Sequence, residues 1–272
     1  MFFSVNLQFE EHEVRDYERR RYRGLDQRLV HCREVRILKA IMKLIGSAPG
    51  GTCLGSPPAR VAVDLVDFNA EEPAASNAPG GGGPPNRATR RAARVGTCLG
   101  SPPRLALDAP CGYGRFSGFL LERGYGLASA DLSFHMVKRA RSREDISTIP
   151  MGIVCNFVHG LPFKPGVFEL ILSMRLFHHL HEPEERRSVL REFSRAAGGW
   201  VILSYYEANP LHRLQRMLRR LVKKSQTRIR MISRREFREE VQGAGFEIVR
   251  LFPIFRGIHG HHIALLKKAQ NW

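Results

Sequence analysis

Two carboxylates, Asp108 and Asp131, each close a short apolar run, and a pair of glycines lies between them. The first run is Leu105-Ala-Leu-Asp108, which leads into Ala-Pro-Cys-Gly112-Tyr-Gly114-Arg115; the second is Gly124-Tyr-Gly-Leu-Ala-Ser-Ala-Asp131. Glycines directly after a strand let the backbone approach a ligand closely and adopt angles closed to other residues. Open α/β sheets bind ligands at such loops, at the carboxyl end of the first strand where a helix begins. A carboxylate about 20 residues beyond the glycine turn is placed to accept ribose hydroxyls. A dinucleotide would call for GxGxxG, but the third position is Ser117. The Asp108 carboxylate beside the turn would also repel a pyrophosphate, and it suits a cationic ligand instead. The plain alternative is a glycine turn that binds nothing.

A second group of reactive side chains is Leu176-Phe-His-His-Leu-His181. Histidine titrates near neutrality, so His178 and His179 are candidate bases; the competing role is to pack beneath a ligand and order the loop. A zinc site from His178, His179 and His181 is not expected, because no Cys or carboxylate completes the set. The motif Tyr205-Tyr-Glu207 supplies Tyr205 and Tyr206 as candidate substrate-lining residues. His259, His261 and His262 are expected to alternate on a strand and its turn, with no metal role. The five cysteines are dispersed, with no CxxC pair, as expected of reduced thiols in a cytoplasmic protein. The first residues lack the layout of a signal peptide, and no apolar run approaches the roughly 20 residues that a bilayer span needs.

The elements that position these residues follow from periodicity. Val35, Leu38, Ile41, Met42 and Ile45 recur at three- and four-residue steps and predict a helix over 29–45. Strands are expected at 105–107, 127–130, 170–173, 200–204, 246–252 and 262–266, with helices at 116–123, 133–141 and 182–197. Ser233 and Glu236 form a capping-box pattern ahead of a further helix. Alternating strands and helices argue for a parallel sheet covered on both faces. The octapeptide Gly-Thr-Cys-Leu-Gly-Ser-Pro-Pro occurs identically at 51–58 and 96–103. Between the copies lies a Gly/Pro/Ala/Arg-rich stretch that cannot bury enough apolar surface to fold. The expected organisation is therefore an N-terminal helical cap (1–50), a repeat-flanked, largely disordered insert (51–103) and a catalytic domain (104–272). The run Arg60-Val-Ala-Val-Asp-Leu-Val-Asp-Phe68 imitates a first strand, but no glycine loop follows it.

Taken together, LDAPCGYGR (107–115), GYGLASADLSFHM (124–136), GLPFKPGVFELIL (160–172), LFHHL (176–180) and WVILSYY (200–206) resemble the class I S-adenosylmethionine-dependent methyltransferases of the type 11-like group. The resemblance covers residues 104–268. It implies a Rossmann-like three-layer sandwich with a mostly parallel seven-stranded sheet, an antiparallel last strand and, here, an N-terminal helical extension. It also implies S-adenosyl-L-methionine as cofactor. Asp108, Pro110, Gly112, Gly114 and Arg115 would hold the methionine part, Asp131 with Leu132 the ribose, and Asn156 with Phe157 the adenine. Two positions depart from the family pattern, with Asn156 and Glu169 standing where the family usually has Asp.

The acceptor is less legible. The expected partner is a small molecule, hydrophobic or membrane-associated, with RNA or a ribosomal component as one alternative and a non-catalytic binding protein on the same fold as another. The net charge is +17, and within 209–235 ten residues are Lys or Arg and none is Asp or Glu. Leu211, Leu214, Met217, Leu218 and Leu221 place an apolar face inside that block, so it reads as a basic amphipathic helix. Such a helix suits an anionic membrane surface and a peripheral attachment. The block has no interleaved aromatic residues to stack bases, which makes nucleic acid the weaker expectation.

Overall fold

The computed structural model describes residues 24–46, 104–143, 151–208, 229–256 and 260–269. The repeat-flanked insert and residues 209–228 of the basic block lie outside the described residues. Seven strands form one sheet: β1 (Leu105–Asp108), β2 (Gly126–Asp131), β3 (Met151–Val154), β4 (Phe168–Ser173), β5 (Ala197–Tyr206), β6 (Phe246–Pro253) and β7 (His261–Lys268), in the order β3-β2-β1-β4-β5-β7-β6. The pairs β1–β2, β1–β4, β2–β3 and β4–β5 are parallel, and β7 lies antiparallel between β5 and β6. The mostly parallel seven-stranded sheet with an antiparallel last strand is thus present, and strand order reverses between β1 and β4. That reversal opens the crevice in which such sheets bind ligands.

Helices cover both faces. On one side lie α1 (Leu25–Gly46), α2 (Ser117–Leu121) and α3 (Phe134–Arg141); on the other lie α4 (Pro183–Ala196) and α5 (Arg234–Gly243). In α1, Leu38, Ile41 and Ile45 are almost wholly removed from water and join the cluster containing Ile202, Ile263 and Leu265. Each such side chain stabilises by about 2 kcal/mol when fully buried, enough to hold α1 as part of the domain. Val189, Leu190 and Phe193 of α4, with Phe237 and Val241 of α5, fill the opposite face against Leu203, Ala264 and Leu266.

Two differences from the sequence reading have simple causes. The strand β3 was not expected, because Met-Gly-Ile-Val is short and pairs only at the sheet edge. The helix after the glycine loop spans five residues rather than eight, since Glu122–Gly124 turn directly toward β2. Glu169, one of the two departures from the family pattern, lies far from the loop in register. It receives two hydrogen bonds from Arg104, at 2.7 and 2.6 Å, and Arg104 also bonds the Tyr125 hydroxyl. Its role there is to fasten β4 to the start of β1.

Candidate functional site

The glycine loop runs from Ala109 to Phe116 between β1 and α2. Gly112 and Gly114 have φ of 53° and 80°, a left-handed backbone that disfavours any side chain. At Gly114 a Cβ would also come within 3.1 Å of Ala140 in α3. The loop is fixed from beneath: Ala109 N–H donates to the Leu172 carbonyl and Cys111 N–H to that of Ala130.

Asp131 ties this loop to the second strand. Its Oδ2 accepts from the Gly112 N–H and its Oδ1 from the Ser133 N–H, both at 2.9 Å. With backbone donors from Gly112, Ser133 and Leu132, the roughly four acceptor sites of the carboxylate still leave room for a ligand hydroxyl. Burial raises the Asp131 pKa, opposed by these backbone donors. Asp108 is buried to 1% exposure, and Ser117 Oγ donates to it at 3.1 Å. Burial pushes its carboxyl up to about 7. Ser129, opposite Asp108 in the β1–β2 register, keeps a buried hydroxyl with no hydrogen-bond partner among the described residues. A buried carboxylate beside an unsatisfied hydroxyl fits a cationic, hydrogen-bonding ligand group such as an ammonium. The residues present therefore fit S-adenosylmethionine at both its amino-acid and its ribose ends.

At the expected adenine position, Asn156 is exposed and its Oδ1 accepts from the Val158 N–H at 3.0 Å, while Phe157 is buried. Leu132 is half-buried after Asp131, and Pro110 is the second residue of the loop after β1.

Arg115 stands somewhere the sequence did not indicate. Its guanidinium pairs with Glu34 of α1 and donates to His31 Nδ1 from Nε at 3.1 Å. Glu34 is fully buried, and its Oε1 also receives Arg175 from Nε and Nη2, at 3.2 and 3.0 Å. His261 Nδ1 of β7 lies 3.8 Å from the same oxygen. Burial, followed by the Arg115 charge, lowers the pKa of His31. Arg175 follows β4 and is the one non-glycine residue with left-handed φ (67°) among the described residues. That conformation costs on the order of 1 kcal/mol or more and persists only where its surroundings enforce it. Here Ser204 Oγ of β5 accepts the Arg175 N–H at 2.7 Å, and Glu34 holds the side chain.

The expected catalytic pair follows at once. Phe177–His179 form a single 3-10 turn, with His178 buried and its ring 4.1 Å from that of His179. The His178 carbonyl accepts the Arg230 N–H, and the Tyr206 carbonyl accepts that of Ile232. The chain returning from the basic block is thus stitched beside the histidine turn. The two tyrosines separate, because adjacent strand residues face opposite sides. Tyr206 stacks on His261 at 4.8 Å and meets His178 edge-on at 5.0 Å. Tyr205 is fully buried on the other face, stacked on Phe237 at 3.8 Å, with its hydroxyl donating to Glu207. It is not brought to the group around Tyr206. Among the described residues no three His, Cys, Asp or Glu side chains gather as a metal site.

Residues 107–203 match a family described as a methyltransferase domain. The matched stretch is about a third of the chain, and it holds the glycine loop, both tied carboxylates, the end of β1, β2 to β4 and most of β5. Among solved structures, the chain is similar to the magnesium protoporphyrin IX methyltransferase of Synechocystis with bound S-adenosylhomocysteine. The two are 18% identical with a TM-score of 0.52, over 62% of this chain and 75% of that one. A SAM-dependent methyltransferase of Methanosarcina mazei gives 19% identity and a TM-score of 0.50, over 61% and 93%. Both are likenesses of fold. An uncharacterised protein of Methanocaldococcus jannaschii is 31% identical over 77 residues, which span 28% of this chain and only 30% of that protein.

Proposed function

We propose that this protein transfers a methyl group from S-adenosylmethionine to a small-molecule acceptor, hydrophobic or membrane-associated. The observation that carries the reading is the Asp131 carboxylate, which holds the glycine loop through Gly112 and keeps room to accept a ligand hydroxyl. Bound there, the cofactor supplies a carbon activated by a sulfonium, so the protein's task is alignment and exclusion of water. Asp108 would hold the ammonium, and Gly112 and Gly114 allow the backbone to lie against the amino-acid end. The His178–His179 turn and Tyr206 are gathered past β4 and β5, where an acceptor would meet the reactive carbon. If the acceptor nucleophile arrives protonated, His178 or His179 would take its proton. The basic block bears on the partner: its stem is pinned beside Tyr206 by Ala208 and Ile232, whose backbones are hydrogen-bonded.

Calorimetric titration with S-adenosylmethionine tests the reading. The unmodified protein should release or absorb binding heat, while Asp131→Ala and Gly112→Val should weaken binding by about tenfold or more, a lost hydroxyl contact to a charged acceptor in the first case. No binding by the unmodified protein would defeat the proposal. With binding established, transfer of labelled methyl into fractionated metabolite, lipid and RNA pools identifies the acceptor class.

A further inference from the structure

The helices on the two faces of the sheet differ in how their charge is matched. In α4 and α5 the arginines are interleaved with glutamates, and Arg187–Glu184, Arg195–Glu192 and Arg235–Glu239 pair along the helix at 2.7, 2.8 and 2.8 Å. On the other face, α1 carries Arg28, Arg33, Arg36, Lys39 and Lys43, and from Gln27 to its end the one acid is the buried Glu34. Lys138, Arg139 and Arg141 of α3, with Arg143 just after it, stand without an acid between Leu132 and Arg143. Arg36, Lys39, Lys138 and Arg141 are exposed and have no ion-pair partner among the described residues. Both helices pack on one core cluster, α3 over β2 and β3 and α1 beside β7, so their outer surfaces belong to the same side of the molecule. Exposed apolar side chains accompany the cations: Leu29 (62%) and Leu44 (38%) of α1, and Phe134 (61%) of α3. In α1, Leu29, Arg33, Arg36, Ala40 and Lys43 recur at three- and four-residue steps, which sets them on one outward stripe. Cationic heads among exposed apolar tips suit an anionic bilayer, whose headgroups meet the cations while its interfacial layer takes the tips. An RNA backbone would reward the cations but not the two leucines, and a single ring, Phe134, offers little stacking to bases.

We infer that the face formed by α1 and α3 docks on an anionic lipid bilayer, with Arg36, Lys39, Lys138 and Arg141 meeting headgroups and Leu29 and Phe134 entering the interfacial layer. This surface is separate from the basic block, and it stands on charge and exposure, independently of the methyltransferase reading. The N-terminal half of α1 also reaches the glycine loop, where Arg115 meets His31, so the docked face adjoins the cofactor loop.

Co-sedimentation of the full chain with vesicles of mixed phosphatidylcholine and phosphatidylserine tests this. Arg36→Glu with Lys39→Glu should weaken binding by about tenfold or more, since each reversal turns attraction to the headgroups into repulsion. Arg191→Glu with Arg238→Glu makes the same change of net charge at exposed positions of α4 and α5, and should leave binding within about twofold. Both variants keep residues 209–235, so the comparison separates this face from the basic block. Leu29→Ser with Phe134→Ser should weaken binding by about threefold or more, as the interfacial layer loses its apolar contacts. Where a variant fails to fold, acetylation of the unmodified protein, read at Lys39 and Lys138 by mass spectrometry, takes its place, and the vesicles should slow it at both. The inference is overturned if the two charge-reversed variants bind alike, if the Leu29 and Phe134 pair binds unchanged, or if the vesicles leave the acetylation rates unaltered. It is overturned in favour of RNA if the reversal in α1 weakens binding of polyuridine and not of vesicles.

Discussion

Burying a carboxylate is costly, and at Asp108 the Ser117 hydroxyl and the Arg115 charge offset only part of that cost. Its pKa stands at about 7, against 3.8 ordinarily, because burial penalises the charged form. Between about pH 4 and pH 7 the folded state binds a proton that the unfolded chain does not. The stability this contributes is full below pH 4 and is lost as pH rises through 7. The ligand-free protein should therefore melt lower at pH 8 than at pH 5 on account of this group. About two pH units separate pH 5 from the folded pKa of about 7, so the difference is on the order of 2–3 kcal/mol. A cationic ligand reverses the preference, so S-adenosylhomocysteine affinity should fall as pH drops below 7. Asp108→Asn should remove that dependence, weaken binding, and raise the melting temperature of the ligand-free protein at pH 8. Calorimetry and thermal melts across pH 5–8 check all three, and a pH-independent affinity in the unmodified protein would contradict the assignment. Asp108 and Asp131 were legible in the sequence, as each ends a strand-like run beside the glycines. Glu34 was not, since its partners lie 81 and 141 residues away. The signal that could have found it is local: it sits in register with Val30, Leu38 and Ile41 on the buried stripe of α1, where a lone acid demands a partner.

At the level of elements, the histidine turn is held by a buried arginine. Arg186 of α4 is 0% exposed and makes a two-pronged contact with Glu240 of α5, at 2.9 and 2.7 Å. Its other donors reach Glu236 at 2.8 Å and the carbonyls of Leu180 and His181. One side chain thus locks α4, α5 and the exit of the turn bearing His178. Arg186→Met should cost about 3–5 kcal/mol, because Glu240 would be left buried without its cation. Adding Glu240→Leu should recover much of that loss, since a hydrophobic pair can replace a buried ion pair. Urea unfolding of the two variants reads the difference; equal stabilities would show that Glu240 finds another partner. The helices themselves were readable from their 3.6-residue patterns. The strand β3 was not, because four residues at an edge leave too little pattern to separate a strand from a loop. The two faces of Tyr205 and Tyr206 follow from strand alternation, but which face meets the acceptor depends on where α1 and α5 pack.

For the molecule as a whole, the +17 charge is the largest feature that the cofactor site does not absorb. Ten cations without an acid between 209 and 235 predict attraction to an anionic surface. Co-sedimentation with phosphatidylserine-containing vesicles should therefore exceed that with neutral vesicles, and should weaken sharply between 0.1 and 0.5 M salt, about the range over which screening shortens from roughly 10 Å. Complete recovery in the supernatant would refute the surface contact. Among the described residues no helix is long and apolar enough to cross a membrane. The sequence by itself determined the alternation of strands and helices, the glycine loop and its two carboxylates, because those are written in short-range spacing that backbone geometry reads directly. Only the tertiary structure decided that α1 reaches over the sheet to set Glu34 between Arg115 and Arg175, that His261 stacks on Tyr206, and that Tyr205 turns away. Such contacts join residues far apart in the chain, and they are chosen by how buried charge must be paired once the sheet has formed, which no local pattern encodes.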